Sequence, residues 1–145
     1  MKTETYYKKS VSQLDGIAWR HFSKFIRERD SSGDFFICIS CGKPKPKEGN
    51  LQAGHYFPAG KFKAIKYDEH NCNGECLACN YYSGDHLIGY KKNLIKKIGE
   101  EAFELLEIKA ADNKRRNYKL DKFWLISTIE KYRNYKFAKT KGIVI

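Results

Sequence analysis

Cys38-Ile39-Ser40-Cys41 and Cys76-Leu77-Ala78-Cys79 are two C-x2-C steps, and between them lies the dipeptide Gly54-His55. Four thiolates in two such steps can close one tetrahedral zinc site, and a site closed by four cysteines keeps no open position, so one structural zinc per chain is expected. The 34 residues between Cys41 and Cys76 leave room for a hairpin and a functional loop. The competing reading is four buried reduced cysteines, and two independent steps argue against it. Cys72 is the odd thiol. It either stands in for Cys76 in a C-x3-C register or stays free, and the free thiol is the favoured reading.

A histidine held between the two halves of such a site is fixed in space without being a ligand. On a strand, the neighbours Gly54 and Tyr56 face the other way from His55, and a glycine beside it admits the close approach of a ligand or another backbone. A hydrogen-bonded structural histidine is the plain alternative. The scarcity of other bases in this basic loop favours a functional His55. Asn71 could hydrogen-bond the His55 loop and orient the imidazole. Asn80, at the expected start of a helix, could cap it or give its oxygen to a hard cation such as Mg²⁺. Asp85 and His86, one or two turns later, could complete that second site. His21 and His70 are expected to be ordinary surface or packing residues.

These residues sit in a chain of 145 amino acids with net charge +11, 41% hydrophobic and 14% aromatic. That is one domain able to bury a real core, so zinc is a local staple within it. The excess of basic residues favours a polyanionic partner, most often nucleic acid. No apolar stretch follows Met1-Lys2-Thr3-Glu4, so no signal peptide is expected, and no apolar run is long enough to span a membrane. Five cysteines, an odd number, suit metal binding in a reducing cytoplasm better than a disulfide framework.

The elements that must position the chemistry follow from periodicity. Residues 1–10 are polar and expected to be frayed. Ser12 reads as the cap of a helix over 12–31, with Leu14, Ile17, Ala18, Phe22, Phe25 and Ile26 at helical spacing. Phe35 to Ile37 reads as a short strand and 43–50 as a loop. Residues 51–57 read as a second strand carrying His55, and a basic loop follows. The zinc-bound core is expected over 34–86 and a helical part over 87–139. Within the latter, one amphipathic helix ends at Gly99 and a short one covers 102–108. A basic connector covers 113–118, and a last helix runs over 120–139. The fold class expected is α+β, a small zinc-stapled core enclosed by N- and C-terminal helices. The aromatic residues of the last helix are expected in the core.

The order His, Asn 16 positions on, then Asn beside a C-x2-C resembles the HNH, or ββα-metal (treble-clef-like), nucleases. A closer similarity runs over roughly 15–138. Phe22-Ser-Lys-Phe-Ile-Arg-Glu-Arg-Asp30, Cys38-Ile-Ser-Cys41-Gly42, Ala53-Gly-His-Tyr56, Cys76-Leu-Ala-Cys79-Asn80 and Tyr90-Lys-Lys-Asn-Leu-Ile-Lys-Lys-Ile-Gly99 resemble the NinG/Rap recombination endonucleases of lambdoid phages. The resemblance implies cleavage of branched DNA such as D-loops and Holliday junctions, in a bacterial host cell. It implies His55 as general base, Asn71 in support and Asn80 at a catalytic Mg²⁺ or Mn²⁺, with His55, Asp85 and His86 as further ligand candidates. Gly54 departs from the wider family, where Asp often stands before the histidine. Asp68 or Asp85 would then supply the carboxylate, or the site uses imidazole and amide alone. His86 and Asn73 are departures too: Asn is usual at the first position and His at the second.

Candidate phosphate contacts are Lys61, Lys63 and Lys66 beside the site, Lys91, Lys92, Lys96 and Lys97 on one helix, and Lys114, Arg115 and Arg116 in the connector. Contacts of this kind read backbone and shape rather than sequence. Symmetric cutting of a junction would favour a homodimer. Two other readings keep the cysteines and the charge: a zinc-dependent DNA-binding protein without catalysis, which gives His55 no task, and an RNA-binding zinc ribbon, for which Tyr81 and Tyr82 would supply stacking.

Overall fold

The structure, a computed structural model, describes residues 3–82 and 84–137. Helices precede and follow two small antiparallel sheets, an α+β arrangement as expected. The first helices are α1 (Thr3–Tyr7) and α2 (Val11–Asp30). Tyr6 of α1 is buried, so the first ten residues, expected to be frayed, include an element docked on the core. Ser10 rather than Ser12 caps α2. Its hydroxyl accepts from Gln13 N at 3.1 Å while Gln13 Oε1 accepts from Ser10 N at 2.9 Å, a reciprocal capping box.

Leu14, Ala18, Phe22, Phe25 and Ile26 bury one face of α2 against Leu125, Ile126, Ile129 and Tyr132 of the last helix, α6 (Lys122–Tyr132). Aromatic packing closes this core, with Phe22 and Tyr132 edge-to-face at 5.0 Å. The last helix was expected to continue to 139. It stops at Tyr132, and Tyr135 and Phe137 instead lie against Phe25 at 4.6 and 5.4 Å. Residues 138–139 lie outside the described residues.

The first sheet joins β1 (Ser31–Ser32), β2 (Phe35–Ile37) and β3 (Pro44–Pro46) in that order. β3 lies in the stretch expected to be a loop. Its two prolines lack N–H donors, and an edge strand tolerates that. The second sheet pairs β4 (Leu51–His55) with β5 (Cys72–Cys76), in register from Leu51↔Cys76 to His55↔Cys72. The expected strand to residue 57 ends at His55. Beyond it, Tyr56 N still donates to Asn71 O at 3.0 Å. Every residue of β5 is buried, and α3 (Leu77–Tyr82) follows it without a break.

Helix α4 (His86–Ile98) ends at Gly99, whose φ of +91° turns the chain into α5 (Glu100–Arg116). The expected short helix and basic connector are one continuous helix. Asp112 accepts from Arg115 and Arg116 at 2.7 and 2.9 Å, and cations in a last turn complement the exposed carbonyls. Asn117, at φ +48°, ends α5. A second core of Ile39, Tyr90, Leu94, Phe103 and Leu106 fills the space between α4, α5 and the 3₁₀ turn Lys63–Ile65. Among the described residues no helix is long and apolar enough to cross a membrane.

The first cysteine step seats α4. Asn93 Nδ2 donates to Ile39 O at 2.8 Å, and a Cβ at Gly89 would collide with the Ser40 carbonyl oxygen. Gly→Ala in a helix interior usually gains about 1 kcal/mol. Here backbone overlap should exceed that gain, so Gly89→Ala is expected to destabilise by about 1–3 kcal/mol. Urea denaturation with excess zinc checks this, and a stabilised variant would contradict the seating of α4 on the cysteine step.

Candidate metal centre and catalytic cleft

The sulfurs of Cys38, Cys41, Cys76 and Cys79 lie within 4.8 Å of one another, a cluster that could hold a metal ion such as zinc. Tetrahedral zinc with bonds of about 2.3 Å would space its sulfurs about 3.8 Å apart, so the donor set fits. The local backbone builds this arrangement. Gly42, at φ +73°, makes the turn after Cys41 and donates its N–H to Cys38 O at 2.9 Å. Cys41 N and Cys76 N both point at Cys38 Sγ, at 3.5 and 3.3 Å. Cys72 stands outside the cluster. It is buried in the α2–α6 core, and that burial pushes its thiol pKa far up. Among the described residues no second group of three His, Cys or acidic ligand atoms lies so close.

Beside this cluster is a cleft of about 440 Å³, lined among others by Trp19, Gly54, His55, Asn80, Tyr81 and His86. His55 Nε2 lies 2.8 Å from Lys66 O. A carbonyl only accepts, so Nε2 carries the hydrogen and Nδ1 keeps its lone pair. Trp19 stacks on the ring at 5.1 Å. Burial lowers the His55 pKa; the Lys66 carbonyl raises it, and the Lys66 ammonium lowers it again. The net shift is downward, so the imidazole is neutral at physiological pH.

Asn71 acts one step back. It is fully buried, accepts from Phe57 N at 2.8 Å, and donates to Phe57 O and Ile65 O at 3.0 and 3.1 Å. It therefore shapes the loop that carries Lys66 O, and that carbonyl, not the amide, orients the His55 ring. Lys66 is itself fixed by Asp15 at 2.8 Å, and Asn113 holds the same loop through Ala64 N and Lys61 O.

A carboxylate behind the cleft, in contact with the cleft-lining His86, belongs to a residue that sequence reasoning missed. Glu75 is fully buried on β5. Its Oε2 accepts from Ser40 Oγ and lies 2.6 Å from His86 Nδ1, while Oε1 has no hydrogen-bond partner among the described residues. A Cβ at Gly54 would collide with Oε1, so the glycine makes room for the acid of the neighbouring strand. The signal available in the sequence was an ionisable residue immediately before a metal-spaced cysteine. Asp68 is turned elsewhere, paired with Lys109 at 2.9 Å. Asp85 precedes α4, makes no capping bond and is not among the cleft-lining residues. Asn80 lines the cleft but is the fourth residue of α3, so it is not that helix's cap.

The basic residues divide by engagement. Lys61, Lys63, Lys92, Lys96 and Lys114 are exposed. Lys91 is exposed and passes over the Phe103 ring at 5.6 Å. Arg115 and Arg116 share Asp112 in exposed pairs, which cost little to break. Lys66 is half-buried, and Lys97, although exposed, is engaged by side chains of the fold. Lys97 reaches Asp30 at 2.9 Å and Asn73 at 2.7 Å, and Arg29 grips the same Asp30 at 2.7 Å. Burial would raise the Asp30 pKa, but Arg29 and Lys97 hold it at about 2.

A family model described as Bacteriophage Lambda NinG protein matches residues 1–141. The protein ninG of Escherichia phage 933W is 32% identical over 116 residues, 80% of this chain and 51% of that protein. The protein ninG of Escherichia phage lambda is 31% identical over 116 residues, 80% of this chain and 50% of that protein. That of Salmonella phage P22 is 30% identical over 118 residues, 81% and 51%. The chain thus spans about half the length of the curated relatives it matches, and no solved structure matches it. With nearly its whole length matched by the family model, the chain belongs to the bacteriophage NinG family.

Proposed function

We propose that this protein is a metal-dependent DNA endonuclease of the HNH, or ββα-metal, type that acts on branched recombination intermediates. The observation that carries the reading is the His55 imidazole. Its Nε2–H is tied to a carbonyl, its Nδ1 is left as acceptor, and it lines one cleft with Asn80 and His86. The β4–β5 pair running straight into α3 supports the ββα reading. Zinc on the four cysteines would hold the His55 strand against the Asn80 helix.

In this reading His55 Nδ1 takes a proton from a water molecule whose oxygen bonds to phosphorus. One ester P–O bond breaks as the new bond forms, and the departing oxygen leaves with a proton from solvent. Asn80 and His86 would hold Mg²⁺ or Mn²⁺, which supplies stabilisation of the charge developing at the phosphate. Asn71 keeps the base in place by fixing the loop behind it, and a misplacement of about 1 Å would cost on the order of 100-fold in rate. The exposed cations would bind phosphates. If about six are neutralised, affinity falls roughly 10³-fold between 50 and 200 mM salt.

Three outcomes are expected. Wild type should cut a four-way junction in Mg²⁺ or Mn²⁺ more readily than a linear duplex, and His55→Ala should cut at least ~100-fold more slowly. Equal cleavage would remove the catalytic role of His55. Tight binding without cleavage by either protein would favour a non-catalytic zinc-dependent DNA-binding protein. Second, elemental analysis of purified protein should find one tightly held zinc per chain, and finding none removes the frame. Third, a base with a lowered pKa stays neutral further into acid. Junction cleavage should therefore be flat with pH above ~6.5 and fall only below it. A profile still rising above pH 7 would require a different base.

A further inference from the structure

A buried carboxylate is normally paired or compensated by a metal. Glu75 has no exposed surface, and its one ion-pair partner among the described residues is His86. Oε2 already accepts from Ser40 Oγ, so it faces His86 Nδ1 as an acceptor as well. That fixes the hydrogen on Nδ1 and leaves the Nε2 lone pair of a ring that lines the cleft. A carboxylate on the far nitrogen is the usual support of a metal-binding imidazole; it fixes the tautomer and the ring orientation and strengthens the donor.

We propose that Glu75 is the positioning residue for His86, holding its Nε2 as a nitrogen ligand for the divalent cation of the cleft. The inference rests on the nuclease reading for the purpose of that cation but not for its binding. Two features of the fold set the geometry. Gly54 is the residue whose lack of a side chain admits the Glu75 carboxylate. Ser40 lies between Cys38 and Cys41, so the same hydrogen bond ties the carboxylate to the cysteine cluster. The cation site is therefore linked to the frame by one chain of contacts: cysteine step, Ser40, Glu75, His86.

The test uses the zinc-loaded full chain and Mn²⁺, which binds nitrogen and sulfur sites too weakly to displace zinc from thiolates. Free Mn²⁺ is counted by electron paramagnetic resonance, and nitrogen hyperfine modulation reports a bound imidazole. Wild type should bind Mn²⁺ with that nitrogen signature. His86→Gln should lose the signature and weaken binding at least 10-fold. Glu75→Gln, with its one zinc retained, should weaken binding about 10- to 100-fold. Gly54→Ala, which displaces the carboxylate, should act in the same direction as Glu75→Gln. Wild-type Mn²⁺ affinity in zinc-retaining Glu75→Gln overturns the proposal. If that variant loses zinc, His86→Gln decides instead, because the His86 hydrogen bond goes to Glu75 rather than to the cysteine steps themselves; unchanged affinity there overturns the proposal. Junction cleavage with Mn²⁺ affinity indifferent to Glu75 overturns this inference alone. Mn²⁺ held through His86 and Glu75, without cleavage, supports it while removing the nuclease reading.

Discussion

Placing a carboxylate where no water reaches it costs several kcal/mol unless its surroundings compensate the charge, and Glu75 is such a carboxylate. The surrounding structure is built around that requirement. Gly54 on the facing strand gives up its side chain so that Oε1 fits. Ser40 and His86 converge on Oε2 from the first cysteine step and from the first residue of α4. Three elements far apart in sequence thus meet at one carboxyl group, and two of them, at Gly54 and His86, line the cleft. Removing the acid would leave His86 without its orienting partner and Gly54 beside a hole.

The other side of the cleft is organised by amides and a carbonyl. The strand pairing brings His55 level with Cys72, one residue from Asn71. From there Asn71 spends all three of its side-chain bonds on Phe57 and Ile65, closing the 57–65 loop into a fixed shape. The carbonyl that receives His55 Nε2 is at the end of that loop, and its residue is anchored again through Asp15. A histidine oriented by main chain cannot swing away as one held by a long side chain can. Its neutral state follows from burial beside an ammonium group.

Much of this was legible in the sequence, and the parts that were not share a cause. The cysteine spacing led to the cluster, and the apolar stripe of α2 led to the core, because both patterns are local and periodic. The span of α5 was broken too early, since a basic stretch reads as a loop until Asp112 is seen to accept from two of its arginines. β3 was hidden by its two prolines, which only an edge strand tolerates. Glu75 was missed for a deeper reason. Its role comes from a cross-strand gap at Gly54 and from contacts with Ser40 and His86, 35 and 11 residues away, and no local pattern encodes such a meeting. The same holds for Lys66 and Lys97, whose charge reads as surface until Asp15 and Asp30 are placed beside them.

Helix α4 brings these constraints together. At its first residue His86 is tied to Glu75, and one residue before its end Lys97 is tied to Asp30 and Asn73. Asp30 also accepts from Gly74 N at 2.7 Å, so both anchors of the helix lie at β5. Eleven residues separate them, roughly 16 Å at about 1.5 Å per residue. A rod pinned at both ends cannot slide or roll, and the Gly89 contact with Ser40 pins it between them. Lys91, Lys92 and Lys96 project from that same rod. Their backbone positions relative to His86 and the cleft are therefore fixed. A polyanion gripped there would meet the site in one register, determined by backbone spacing and not by base sequence. Two carboxylates, the buried Glu75 and the largely enclosed Asp30, thus place both His86 and the charges that would present a polyanion to the cleft.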